Sequence, residues 1–322
     1  MNKIVLLLAP RLDLSFKNGN FRLFYKRVEP IRRHWENMIR IINNHHIESG
    51  DIVLKQELPL WMFKESDVIK INPDIVYIPH KTFEQFSVNK NIECRYYMQM
   101  TIPWLFQIDK KGWGPSASIY PISNNYKLYE FKRAKEIFRK LQKRQLYGSS
   151  KFKQPERNWT ETDYVLFTCQ IPHDDSIKLH GNNFSVKEAL SITVNYCKSK
   201  NKKLVIRGHP QNKSSMLELK KMFPEDLFLW ADDVNINNLI KNCRILVTVN
   251  SGTGFEAILH MKPVLVFGKC EYDTVVNKYS ENNFFSTMDK PMISKNDYIH
   301  FIGKYYSLMY NSKDKSTLTN YK

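Results

Sequence analysis

The chain has 322 residues, 42% of them hydrophobic and 13% aromatic, a composition that buries a core and excludes a disordered polymer. Its 49 Lys and Arg against 32 Asp and Glu leave a formal charge of +17, a field that draws polyanions, anionic surfaces or phosphate-bearing small molecules. No window of ~18 apolar residues is present, which argues against a spanning helix, and five scattered cysteines without CxxC spacing indicate neither a disulfide framework nor a zinc site and fit a reducing cytoplasm.

Residues 4–9 form a short apolar run that Pro10, Arg11 and Asp13 cut off at once, so it reads as a first core strand and not as a signal peptide. Helical spacing of Trp35, Met38, Ile41 and Ile42 falls within 24–44. An extended piece at 51–54 and strands at 74–78 and 94–100 follow, the last continuing as 102–106 beyond a bend at Pro103. A polar turn at 108–116 contains Asp109-Lys110-Lys111-Gly112-Trp113. Turns of this kind line clefts in open α/β domains or serve only as connections.

Next comes a block of cations, Lys132, Arg133, Lys135, Arg139, Lys140, Lys143, Arg144, Lys151 and Lys153, with Leu128, Phe131, Ile137, Phe138 and Leu141 at helical spacing. Such a basic amphipathic helix either lies on a membrane surface or packs its apolar stripe on its own domain, and the second is the plainer reading. No zinc finger, aromatic RNA-binding motif or helix-turn-helix accompanies the charge, so nucleic acid is disfavoured.

Residues 148–159 have linker composition. The expected organisation is therefore an N-terminal domain at 1–147, a linker at 148–160, a C-terminal domain at 161–294, and a helix and tail at 295–322 read by analogy as returning to the first domain. Strands at 164–169, 203–207, 227–230, 245–249 and 264–267 alternate with helices at 186–199, 215–223, 236–241 and 255–261. That alternation predicts an α/β fold with a parallel sheet covered on both faces.

Ligands in such sheets sit beyond the carboxyl ends of the strands, and three polar clusters fall there. The first is Gln170-Ile171-Pro172-His173-Asp174-Asp175-Ser176-Ile177. The second is Arg207-Gly208-His209-Pro210-Gln211-Asn212-Lys213. The third, Asn250-Ser251-Gly252-Thr253-Gly254, is a strand-to-helix turn that aims backbone N–H groups and a helix amino end at one point, as an anion requires. Each has a plain alternative: a helix cap at Asp174-Asp175-Ser176, a proline turn at His209, close strand-helix packing at the glycines. Together they bring a carboxylate, an imidazole, two cations and an anion turn to one rim, which predicts a functional site.

At these residues the chain resembles the KpsC/KpsS-like β-Kdo transferases of capsule polysaccharide synthesis. The resemblance rests on QxxxDxSI at 170–177, His209-Pro210 with Lys213 following, and NSxxGFEAxxxxKPVxxFGxxxY at 250–272, and covers about 160–275. The first half resembles that family only in layout: where its members carry an acidic-acidic-glycine turn with a nearby arginine, this chain has Asp109-Lys110-Lys111-Gly112-Trp113.

The resemblance implies a GT-B-like fold of two Rossmann-like domains facing across a cleft, and a glycosyltransferase using CMP-Kdo without a metal or other cofactor. It makes Asp174 the catalytic carboxylate of a retaining double displacement, with His209 and the Ser251 to Gly254 turn on the CMP phosphate and Gln170 and Ser176 orienting the site. Arg207 and Lys213 reinforce the phosphate end, Pro210, Asn250, Glu256 and Tyr272 complete the substrate-binding set, and Tyr272 and Glu256 keep packing and helix-dipole alternatives. The implied partners are a CMP-activated donor and a glycolipid or saccharide acceptor, while the positive charge itself suits a peripheral enzyme on an anionic membrane surface at the inner face of the plasma membrane. Alternatives left open are another nucleotide sugar, such as CMP-sialic acid, and a non-catalytic membrane-associated sugar- or lipid-binding protein.

Overall fold

The computed structural model describes residues 2–8, 29–55, 64–79, 91–122, 126–146, 155, 157, 159–210, 213–225, 228–314 and 316–318; within these, the side chains of 29–32, 55, 65, 145, 146 and 213–215 are not described. The start of the helix expected at 24–44, most of the expected linker at 148–160, Gln211 and Asn212 lie outside the described residues, as does the side chain of Lys213. Two compact units emerge, Met1–Tyr120 with Leu308–Lys322, and Pro121–Ser307.

The first unit is built on β1 (Ile4–Leu7), α1 (Glu29–Glu48), β2 (Ile52–Lys55), α2 (Glu65–Ile71), β3 (Ile75–Pro79), β4 (Glu93–Gln99) and β5 (Leu105–Asp109). β2, β1, β3 and β4 run parallel, as their apolar runs predict, and β5 returns antiparallel to β4. Helix α1 stops where Gly50 takes φ +83°, a left-handed conformation that glycine adopts at little cost. The last strand of the chain, β12 (Tyr310–Asn311), pairs antiparallel with β5, so the carboxyl-terminal tail joins this unit as a strand.

The second unit begins with α3 (Phe131–Leu146) and continues through β6 (Tyr164–Thr168), α4 (Asp175–His180), α5 (Val186–Ser199), β7 (Leu204–Arg207), α6 (Lys213–Met222), β8 (Leu229–Trp230), α7 (Ile236–Asn242) and β9 (Cys243–Thr248). It then adds α8 (Gly252–Leu259), β10 (Val264–Val266), β11 (Asn277–Lys278), α9 (Phe284–Asp289) and α10 (Lys295–Leu308). Its six strands are all parallel, in the order β11-β10-β9-β6-β7-β8. β6 is buried along its whole length between two neighbours and two helical layers, which is why its sequence is nearly continuous in apolar residues. Helix α5 is set by a capping box in which Ser185 and Glu188 each accept from the other's backbone N–H.

The boundary differs from the one expected at 148–160, because the basic helix α3 belongs to the second unit. Its stripe of Ala134, Phe138 and Leu141 is buried, Gln142 Nε2 donates to the Leu259 carbonyl at 2.8 Å, and Phe131 meets the His300 ring at 4.9 Å. Gly303 permits the approach: a Cβ there would stand 2.6 Å from the Ala134 methyl. The plainer of the two readings of this helix, an apolar stripe packed on its own domain, is the observed one.

Candidate functional site

In the second sheet the chain builds outward from β6 through β7 to β8 and then crosses back to place β9 on the other side of β6. The order therefore reverses between β6 and β9, and the crevice beyond their carboxyl ends is where open α/β sheets take ligands. The registers Thr168↔Arg207 and Phe167↔Val247 show that β7, β6 and β9 end on the same edge, so all three polar clusters leave the sheet side by side.

Side chains join the first cluster to the third. Gln170, only 7% exposed, donates from Nε2 to Asn250 Oδ1 at 2.8 Å and accepts through Oε1 from the Asn250 backbone N–H at 2.9 Å. Asn250 Nδ2 in turn donates to the Ser176 carbonyl at 2.8 Å, and Gln170 Nε2 stands 3.5 Å from Ser176 Oγ. Because these groups are buried, each bond lost leaves a polar atom without water to replace it, so the two loops hold one arrangement. Beneath them the Thr168 and Thr253 hydroxyls meet at 2.7 Å, and Thr248 Oγ1 donates to the Thr168 carbonyl at 3.1 Å. Thr253 belongs to the turn expected from sequence, but Thr168 and Thr248 were not singled out, although a hydroxyl residue closing an otherwise apolar strand was the available signal.

Within that frame Asp174 is the N-cap of α4: one carboxylate oxygen accepts from the Ser176 N–H at 2.8 Å, and the side chain is exposed. Burial lifts the carboxyl of the adjacent Asp175 above its ordinary value, against the pull of Lys178 and with a push from Asp174. The carboxyl end of α4 is fixed by the Lys269 N–H, which donates to the His180 carbonyl at 2.8 Å. Gly268 passes close enough that a Cβ would come within 3.0 Å of Gly181 Cα.

The anion turn has the expected form. Ser251 is the N-cap of α8, its hydroxyl accepting from the Thr253 N–H at 3.2 Å while Gly254 N–H bonds the Ser251 carbonyl at 3.0 Å. Helix α8 starts at Gly252, three residues before the expected 255, because this cap fixes its first turn. Of the two roles weighed for Tyr272, packing is the one seen. The ring is wholly buried, its hydroxyl donates to the Ser251 carbonyl, and a Cβ on Gly254 would stand 2.7 Å from its Cζ. Burial pushes its phenol well above the ordinary range, which keeps it neutral and a donor. Glu256 lies half-buried on the first turns of α8.

The second cluster is organised differently. Arg207 is 7% exposed and donates to the Asp232 carbonyl at 2.5 Å, with the Asp232 carboxylate 3.7 Å away. Asp232 also accepts from the Gly208 N–H at 2.7 Å. Burial works to lower the Arg207 pKa, and Asp232 and Asp233 oppose it. The guanidinium expected at the phosphate end thus braces the loop after β8, and sequence reading gave Asp232 no such part. His209 is half-buried and Pro210 exposed just beyond it, while Lys213 opens α6.

The divergent turn of the first unit is self-contained. Asp109, buried at the end of β5, accepts from the N–H groups of Lys111 at 2.7 Å and Gly112 at 3.2 Å through Oδ1. Through Oδ2 it accepts from Ser118 N–H at 2.9 Å and Ser118 Oγ at 2.5 Å. Since β5 runs against β4, the turn lies toward the edge where β4 begins, and Lys110 pairs with Glu93 there at 3.0 Å. It is thus not on the carboxyl edge of β1, β3 and β4.

Comparison with known proteins places this architecture. Over 143 residues, 41% of this chain and 37% of the relative, it is 27% identical to the capsule polysaccharide export protein KpsS of Escherichia coli. Over 126 residues, 37% of this chain and 30% of the relative, it is 31% identical to protein FixF of Sinorhizobium fredii strain NBRC 101917 / NGR234. Each match takes in only about a third of the curated relative's length. Among solved structures it superposes on Thermosulfurimonas dismutans KpsC, beta Kdo 2,7 transferase, with a TM-score of 0.53 at 16% identity, covering 94% of this chain and 90% of that one. The beta Kdo 2,4 transferase of the same KpsC gives a TM-score of 0.54 at 12% identity, over 82% and 87%. These likenesses bear out the α/β fold of two Rossmann-like, GT-B-like domains. The family model for capsule polysaccharide biosynthesis protein matches residues 113–276, just over half of the chain and all three motifs, and the chain belongs to that KpsC/KpsS-like family.

Proposed function

We propose that the protein is a glycosyltransferase that moves Kdo from CMP-Kdo to a saccharide or glycolipid acceptor in capsule polysaccharide synthesis, with retention at the anomeric carbon. The observation that carries this reading is the bonding of Gln170 to Asn250 and of Asn250 to Ser176. It holds the Asp174 loop and the anion turn of α8 together at the switch point of one sheet. Family membership and the fold shared with the two KpsC transferase structures support it.

In this reading the CMP phosphate sits at the amino end of α8, where the N–H groups and helix dipole favour an anion, and His209 donates to the phosphate as it departs. One oxygen of Asp174 attacks the anomeric carbon as the bond from that carbon to the phosphate oxygen breaks, giving a glycosyl ester and free CMP. The acceptor hydroxyl then attacks the same carbon from the face the phosphate left. Asp174 is released as carboxylate and the hydroxyl proton passes to base or water, so two inversions give net retention. The negative charge that develops is met by His209 and the helix end, and the scheme needs no metal.

Thermal melting with CMP, UDP and GDP, followed by CMP release from CMP-Kdo and from CMP-sialic acid, tests the assignment. CMP should raise the melting temperature most, and CMP-Kdo should be turned over fastest. Preference for a uridine or guanosine nucleotide would replace the donor. Nucleotide binding with no release from any sugar nucleotide, acceptor present, would leave a binding protein.

A further inference from the structure

The Thr168 hydroxyl has no part in the transfer as drawn, yet its burial needs a reason. Thr168 closes β6 and is 2% exposed, after a run of apolar and aromatic residues from Tyr164 to Phe167. Valine would fill the same space, and a hydroxyl taken out of water costs free energy unless it is bonded. Among the described residues the partner of that hydroxyl is Thr253, the two Oγ1 atoms standing 2.7 Å apart.

That pairing has a direction. A hydroxyl carries one proton and two lone pairs. Were Thr253 the donor, the Thr168 proton would face the core with no acceptor, so the buried hydroxyl donates and Thr253 accepts. Thr253 is half-buried in the turn that opens α8, and its own proton is left for an acceptor beyond the strand.

The turn is short of such donors. Of the first three N–H groups of α8, that of Thr253 bonds Ser251 Oγ at 3.2 Å and that of Gly254 the Ser251 carbonyl at 3.0 Å. Two are spent on the helix's own cap, so an anion seated there gains from a side-chain hydroxyl aimed at it.

We infer that Thr168 is a positioning residue: by donating to Thr253 it holds the Thr253 hydroxyl as a donor to the phosphate of the bound nucleotide. The inference rests on the proposed seat of the CMP phosphate at the amino end of α8 and adds a group that touches no ligand. Without Thr168 the Thr253 hydroxyl is free to rotate and to bond backbone carbonyls instead, as helix threonines do. An ionised phosphate oxygen accepts and does not donate, so the effect belongs to the phosphate and not to the nucleoside.

The test is the affinity of the whole protein for CMP, by titration calorimetry, and for cytidine, by competition with CMP. Thr168→Val should weaken CMP about fivefold and change cytidine by less than about twofold. Thr168→Ser keeps the hydroxyl and should restore CMP affinity to within about twofold of wild type, while Thr168→Ala repeats the loss with a smaller side chain. Thr253→Val should lose at least as much as Thr168→Val, and the double variant little more than Thr253→Val alone, because the first hydroxyl acts through the second. CMP affinity unchanged in Thr168→Val and Thr168→Ala, equal losses for CMP and cytidine, or losses that add in the double variant would each overturn the inference while leaving the donor assignment intact. Wild-type protein that binds no CMP would overturn both.

Discussion

Asp109 and Asp174 are both aspartates that shape the turn leaving a strand, yet their surroundings make them different in kind. Asp109 is buried, and both of its oxygens are taken by donors from Lys111, Gly112 and Ser118. Asp174 is exposed beside a topological switch point, and a single backbone N–H, that of Ser176, holds one of its oxygens. A saturated carboxylate maintains a loop; an exposed one with an oxygen to spare is what the proposed transfer asks of Asp174. The contrast separates an aspartate whose oxygens are all committed to the fold from one that keeps an oxygen uncommitted, in residues that look alike on paper.

The largest effect on stability should come from the first of them. Asp109→Ala strips the partner from three backbone N–H groups and a hydroxyl in a buried turn and should cost about 3 kcal/mol in urea unfolding. A loss near that of an ordinary surface change would erase the distinction between the two turns.

The two ends of α8 sharpen the same comparison. Its amino end is where the proposal seats the CMP phosphate, whereas His260 beyond its carboxyl end is half-buried, bonded to Asn237 at 3.0 Å, and burial lowers its pKa from 6.5 to about 4. The neutral ring is favoured in the fold, so below pH 6.5 the unfolded chain takes up the proton first. Stability should therefore hold above about pH 6.5 and decline as pH falls toward 4, by roughly 2–3 kcal/mol in all. Unfolding of His260→Gln followed against pH should lose most of that slope. An unaltered slope would mean that His260 is not the group responsible.

Next in size is the floor of the anion turn. Gly254→Ala drives a methyl against the buried Tyr272 ring and should cost about 2 kcal/mol, with weaker CMP binding by titration calorimetry. Ready accommodation of the methyl, with CMP affinity intact, would show that Tyr272 does not set the turn. The smallest expected change is the stability of Asp174→Ala, which removes only an exposed cap at about 1 kcal/mol in the same urea assay that reports on Asp109.

Much of this architecture was legible from the residues. The β6, β7 and β9 runs are apolar because they are buried on both faces, and the Ser251 to Gly254 turn carries its own cap and glycine signals. The unit boundary was not legible: α3 has linker-like sequence after it, but its stripe and Gly303 commit it to the second unit. Nor was the commitment of Arg207 to Asp232, since that pairing spans 25 residues and depends on β8 lying beside β7. Local sequence reports caps and periodicity well, and it is silent on which partner a side chain finds across the sheet.

The measurement closest to the central claim is CMP release from CMP-Kdo by wild-type protein and by Asp174→Asn, each first shown to be folded and to gain melting temperature with CMP. The account predicts that the variant binds CMP as well as wild type while release falls by about 10³-fold or more. A variant that binds CMP and releases it at the wild-type rate would contradict it.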